Sequence, residues 1–374
     1  MEPSRLNWFS AADAARAIGD GAISSVEMVE ACLARVREVD PKVQAWAFLD
    51  PEHALAQARA ADELRKTGGA TGALHGVPVG IKDIFDTSDM PTEDGTVLHA
   101  GRTPAADATA VMRLRSAGAV IMGKTVTTEL ATYAPGKTRN PHNPEHTPGG
   151  SSSGSAAAVA CGMVPVAIGS QTNGSVVRPA AYCGVYGFKP THGLISRHGA
   201  LKLSRTLDHV GVFARTVEDI ALVCEELVGY DERDPDTRPR ARIPLMGIAA
   251  EEPPLPPRLA FVKTPLWDQT EPETREAFAE LIEHLGSRAE ELTLPESARG
   301  ALEWHRTIME SEMAANLSAE YEKGRDKLSE QLRAQLERGR KHTAFEYQTA
   351  LARILLLNEG FAELFESYDA ILTP

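Results

Sequence analysis

From Gly149 to Val159 the chain carries no side chain larger than valine: Gly149-Gly150-Ser151-Ser152-Ser153-Gly154-Ser155-Ala156-Ala157-Ala158-Val159. Runs of glycine and serine usually form linkers, but this one continues into an Ala- and Val-rich stretch that belongs in a core. Residues this small let backbones approach one another closely. The spacing therefore predicts a tightly packed, buried helix beginning near Gly154 and reaching Gly162, followed by a strand over 164–169. A second glycine-bearing turn, Gln171-Thr172-Asn173-Gly174-Ser175-Val176-Val177-Arg178-Pro179, places Ser175 24 positions after Ser151.

The chain around these two turns alternates between strand and helix signals. Ser24-Ser25-Val26-Glu27 reads as a capping box that opens a helix to about Val39. Asp50-Pro51 starts another helix, which Gly68-Gly69 ends. Val77 to Ile84 is a short apolar run suited to a buried strand. A helix over 107–117, a strand over 119–122 and a helix over 126–133 follow, with a loop rich in Pro, Asn and His at 135–149. Thr216 to Gly229 is amphipathic, 231–257 reads as a long surface connection, and a strand at 258–263 precedes helix 272–286. A short strand near 289–293, a mostly helical stretch from about 297 to 367 and a final strand at 369–372 complete the chain. The alternation predicts an α/β fold: a single large mixed sheet covered by helices on both faces, in one domain over 1–374. The core of that domain is expected at about 70–225, with a more variable, mostly helical part at about 258–374.

A formal net charge of −13 argues against a protein built to neutralise phosphate backbones. No apolar run approaches the ~20 residues that span a bilayer, and the N-terminus has no basic segment leading into an apolar one. Cys32, Cys161, Cys183 and Cys224 lie in apolar contexts without metal or redox spacing, as buried reduced thiols would. A cytoplasmic location is expected, with no nucleic-acid or membrane partner.

Two motifs match by letter and fail by context. Gly118-Ala119-Val120-Ile121-Met122-Gly123-Lys124-Thr125 spells a phosphate-binding loop, yet its middle is a strand rather than a flexible loop. Gly150-Ser151-Ser152-Ser153-Gly154 spells a nucleophile elbow, which needs a strand directly before it, whereas His146-Thr147-Pro148 is a loop. His142 and His146 have a metal-ligand spacing useful on a helix, which Pro141, Pro144 and Pro148 forbid. Lys82 is different. It sits among Val79, Ile81 and Ile84, and a lysine buried without a purpose is costly. A hydroxyl nucleophile needs a nearby base at neutral pH, and a desolvated lysine serves as one. Lys82, Ser151 and Ser175 together point to acyl transfer.

These segments resemble the amidase signature enzymes. Leu74-His75-Gly76-Val77-Pro78, Gly118 to Thr125, Thr138-Arg139-Asn140-Pro141, Cys183 to Thr191 and Leu207-Asp208-His209-Val210-Gly211 look like family segments in family order. The resemblance is strong over roughly 10–225 and weak beyond. It implies a Ser–cis-Ser–Lys triad with Ser175 as nucleophile, Ser151 as the bridging serine and Lys82 as base. Backbone N–H groups of Thr172, Asn173 and Gly174 would line the oxyanion hole. No metal or organic cofactor is implied, and the expected partners are a small amide substrate and, among macromolecules, a second copy of the chain.

Asn173 stands where many members have glycine, a change that is tolerated because asparagine accepts positive φ. Arg178 lies three positions after Ser175 rather than two, as in malonamidase-type members, where this arginine meets a substrate carboxylate. Members also continue past a Leu-Thr-Pro like Leu372-Thr373-Pro374, so by the resemblance this chain is expected to lack a C-terminal segment that helps close the site. The implied activity is cleavage of a carboxylic amide through an acyl-enzyme. Its alternatives are a carbamate or aryl-amide hydrolase and the A subunit of a tRNA-dependent glutamine amidotransferase, against which the shifted Arg178 speaks.

Overall fold

The computed structural model describes residues 3–374. Two compact units emerge: the chain up to Ala250 together with Glu312–Glu337, and Glu251–Ser311 together with Arg338–Pro374. The first unit opens with α1 (Ala11–Gly19), α2 (Ser25–Val43), β1 (Trp46–Leu49), α3 (Pro51–Lys66), β2 (Pro78–Lys82) and α4 (Thr109–Ser116). It continues with β3 (Val120–Thr125), α5 (Ser153–Ala160), β4 (Val166–Gln171), α6 (Val177–Cys183), β5 (Tyr186–Phe188) and β6 (His209–Ala214). Helices α7 (Val217–Leu227) and α8 (Leu245–Ala250) follow.

Its six strands make one mixed sheet in the order β1-β3-β2-β4-β6-β5, flanked by helices. Strand β2 runs parallel to both β3 and β4, while β1, β6 and β5 are antiparallel to their neighbours. Every residue of β2 and β3 is buried, which explains why both read as continuous apolar runs without alternation. Each nonetheless carries one lysine, Lys82 and Lys124, both fully buried. The GKT of the phosphate-loop pattern is the end of β3, paired in register with β2.

The second unit has its own parallel sheet in the order β8-β7-β9, from β7 (Leu259–Val262), β8 (Ala289–Leu292) and β9 (Ala370–Leu372). Phe261 of β7 stacks on Phe278 of α9 (Pro272–Leu285) and meets the edge of Trp267. Helices α10 (Ala301–Asn316), α11 (Ser318–Gly324), α12 (Glu330–Gly339) and α13 (Ala344–Phe365) account for the helical stretch read from sequence.

The capping box forms, with Ser24 Oγ accepting from Glu27 N and Glu27 accepting from Ser24 N. The expected helix at 126–133 does not form. Only a short 3-10 turn, Glu129–Ala131, is present, with Leu130 and Ala131 at positive φ. The backbone there is bonded elsewhere: Val126 N to Ala45 O, Thr128 N to Ser151 O and Leu130 N to Asp94 O. Long-range backbone pairing has displaced the local helical pattern. Among the described residues no helix is long and apolar enough to cross a membrane.

Candidate active site

Lys82 ends β2 at the centre of the six-stranded sheet, and its Nζ hydrogen-bonds to Ser151 Oγ at 2.7 Å. It makes a second bond, to Ser170 Oγ of β4, at 2.8 Å. Burial is the main reason that the Lys82 ammonium is pulled down to about 7; Asp208 opposes that pull and Arg178 adds to it. A lysine in this state is a base at neutral pH.

Ser151 is delivered by the small-residue run, and the structure shows why that run is small. The Gly150–Ser151 peptide bond is cis. Gly149 has φ +76°, and a Cβ there would stand 2.8 Å from Pro179 Cα. A Cβ at Gly154 would meet Ala45 O and Val126 N at 2.3 Å, so α5 lies directly against the sheet backbone. The serines hold it there. Ser152 Oγ donates to Ser170 O at 3.1 Å, and Ser155 Oγ donates to Ile168 O at 3.0 Å and lies 2.7 Å from Thr125 Oγ1. Hydroxyl bonds thus add to the apolar packing of the fully buried Ala156, Ala157, Ala158 and Val159.

Ser175 is buried at the turn between β4 and α6. Gln171 Oε1 accepts from Val176 N at 2.9 Å and Val177 N at 3.1 Å, so one side chain ties down the chain just after Ser175. Gly174 takes φ +108°, which glycine adopts without strain. Among the described residues the N–H groups of Asn173, Gly174 and Ser175 make no hydrogen bond, so one turn carries three successive unpaired donors. The Thr172 hydroxyl donates to Asp208 Oδ1 at 2.6 Å. Asn173 Nδ2 donates to the Tyr133 hydroxyl. Among the described residues no hydrogen bond joins Ser151 Oγ to Ser175 Oγ, so the Lys82–Ser151 half of the expected relay is closed and the Ser151–Ser175 half is open.

Arg178 does not stand free to meet a ligand with its whole fork. Its Nε and Nη2 donate to Gly150 O at 3.1 and 3.0 Å, bracing the peptide that carries Ser151. Its Nη1 would be 3.4 Å from a Cβ at Gly174, which places the guanidinium beside the nucleophile turn.

Three participants carry little signal in the sequence. Ser170 is visible there only as a polar residue at the end of an apolar strand, and Gln171 likewise. Asp208 lies in a segment that suggests family likeness but no role. Burial pushes the Asp208 carboxyl up to about 6, against the hydrogen bonds it accepts. Asp208, Ser170 and Thr172 share the wall of a cavity of about 270 Å³ with Phe85, His198 and Arg197. Lys124, the other buried lysine, donates to Phe85 O at 2.8 Å and Thr92 Oγ1 at 2.5 Å, and lies 3.4 Å from Asp83. It braces the loop after β2. His142 Nε2 lies 2.9 Å from Cys183 O in the loop before Ser151.

The family model described as Amidase matches residues 27–374. The A subunit of the glutamyl-tRNA(Gln) amidotransferase of Chloroflexus aggregans (strain MD-66 / DSM 9485) is 39% identical over 329 residues, 84% of this chain and 66% of that protein. Its counterpart in Roseiflexus castenholzii (strain DSM 13941 / HLO8) is 46% identical over 235 residues, 61% of this chain and 48% of that protein. The chain therefore spans less than two thirds of the length of such curated relatives. Among solved structures, one described as an amidase superposes with a TM-score of 0.85 at 32% identity, over 98% of this chain and 82% of that one. The native peptide amidase from Stenotrophomonas maltophilia gives 0.78 at 30% identity, over 91% and 77%. A 6-aminohexanoate cyclic dimer hydrolase gives 0.82 at 29% identity, over 97% and 78%.

Proposed function

We propose, from the premise that this chain belongs to the amidase family, that it cleaves a carboxylic amide through an acyl-enzyme on Ser175. The observation that carries the reading is the 2.7 Å contact between the buried Lys82 Nζ and Ser151 Oγ. Neutral Lys82 takes the Ser151 proton as Ser151 takes that of Ser175, and Ser175 Oγ attacks the carbonyl carbon. The oxyanion accepts from the turn N–H groups, for which Asn173, Gly174 and Ser175 are available and Thr172 is the fourth candidate. The proton returns through Ser151 to the leaving nitrogen as the C–N bond breaks. Water then attacks the ester, its proton following the same route, and releases the acid. A shift of the Ser175 side chain completes the relay once substrate is seated.

Two finer readings share this chemistry. The names of the curated relatives support the glutamine-cleaving component of a tRNA amidotransferase more than a free-standing hydrolase. The solved amidases support the free-standing hydrolase. Arg178 bracing Gly150 supports neither a substrate carboxylate nor its absence.

The test is covalent labelling. A fluorophosphonate should attach at Ser175, and Ser175→Ala should lose both label and turnover while keeping its fold by circular dichroism. A label on Ser152 would sink the assignment.

A further inference from the structure

The segment just before β6 is held unusually firmly for a loop. Asp208 Oδ2 accepts from Leu203 N at 2.9 Å and Ser204 N at 2.8 Å, closing the loop on itself. Glu312 accepts from Ser204 Oγ at 2.5 Å, Thr206 N at 3.0 Å and Thr206 Oγ1 at 2.5 Å, and Asn316 Nδ2 donates to Leu203 O at 2.9 Å. This anchored loop presents the remaining oxygen of Asp208 to Thr172 Oγ1, on the first residue of the nucleophile turn. A carboxylate that holds this turn through Thr172 and whose charge raises the proton affinity of Lys82 acts on both at once.

We propose that Asp208 is a positioning residue of the amide-cleaving site: through Thr172 it sets the oxyanion turn, and its charge acts on Lys82. The inference rests on the reading of Lys82 as base. The charged groups that act on Lys82 are Asp208, from the loop before β6, which raises its proton affinity, and Arg178, from α6, which lowers it. Asp208 is faced in turn by Arg197, which is itself paired with Asp234 at 2.8 Å and Asp236 at 2.5 Å. Arg197 is thus offset by two carboxylates of its own. A negative charge near an ammonium favours the protonated form. Asp208 therefore keeps Lys82 from becoming too weak a base to accept a proton.

The experiment is the pH dependence of kcat/KM for a simple amide in the wild type, Asp208→Asn and Thr172→Val. In Asp208→Asn the acid limb should move to lower pH by about one unit, and plateau kcat should fall at least about tenfold as the turn loosens. Thr172→Val keeps the charge and breaks the link, so its plateau should fall while the limb stays in place. A limb unmoved in Asp208→Asn, or a Thr172→Val enzyme at wild-type rate, overturns the inference. Thr172→Val carries the test by itself where Asp208→Asn does not fold. Failure of the underlying reading looks different: Lys82→Met would remain active, and the wild type would show no acid limb near pH 7.

Discussion

Lys82 is fully buried, and its ammonium is pulled down to about 7, chiefly by desolvation. In the unfolded chain the same group binds its proton up to ~10.4. Between those values the unfolded state holds the extra proton, so stability falls as pH falls, by roughly 1.4 kcal/mol per unit. Below about pH 7 the loss is complete and constant, on the order of 3–5 kcal/mol. Methionine at this position fits an apolar strand and carries no such penalty. Lys82→Met should therefore be inactive yet more stable than the wild type at pH 7 in urea unfolding. The gap should narrow towards pH 10, where the folded state has already lost the proton and the unfolded state begins to lose it too. A gap independent of pH would mean that Lys82 is charged in the fold. Lys124 makes the useful contrast. It has carbonyl and hydroxyl acceptors around it and Asp83 nearby, the setting of a lysine retained for structure. In the sequence Lys82 stands out among apolar neighbours and Lys124 only as the end of a phosphate-loop pattern; their surroundings separate the proposed base from the brace.

At the level of elements, helix α6 and the Ser151 loop are joined by the Arg178 fork on Gly150 O and by the close approach of Gly149 to Pro179. An arginine in this role positions Ser151 whatever the substrate. Arg178→Ala should lower kcat about equally for a carboxylate-bearing and a neutral amide, by roughly tenfold or more, with a lower Tm. Arg178→Lys should rescue little, since one ammonium does not reproduce a two-nitrogen contact. A rise in KM confined to the charged amide would return Arg178 to substrate recognition. The same elements show how far sequence reaches. The buried helix after Gly154 and the strands at β2, β3 and β4 are legible because apolar runs and small residues carry their burial directly. The 126–133 stretch misleads because Val126, Thr128 and Leu130 spend their N–H groups on Ala45, Ser151 and Asp94, distant partners that no local pattern encodes. Strands β1 and β5 give no clear signal for another reason: β5 has three residues, and β1 is broken by a bulge in its pairing with β3. Within the site, the two turns and Lys82 are legible as residue types. Ser170 and Asp208 are not, because their meaning lies in a pairing across 88 residues in one case and 36 in the other.

For the whole molecule, the candidate residues from Lys82 to Asp208 all fall in the unit that ends at Ala250 and takes in Glu312–Glu337. Lys82, Ser151, Ser175 and the Thr172–Ser175 turn, to which the proposed reading gives the roles of base, bridging serine, nucleophile and oxyanion hole, all belong to that one unit. The chain has 52 Asp and Glu against 39 Lys and Arg, so on its own it repels a polyphosphate backbone. The purified protein should therefore release ammonia from a simple amide, and from glutamine if that is its donor, at a rate unchanged by added tRNA. It should also leave tRNA unshifted in a native gel at about 0.15 M salt. Turnover of glutamine that appears only with glutamate-charged tRNA and co-purifying partner proteins would decide for the amidotransferase reading. The acyl-enzyme on Ser175 would stand in either case, because the acceptor of the released ammonia changes nothing in the chemistry that frees it.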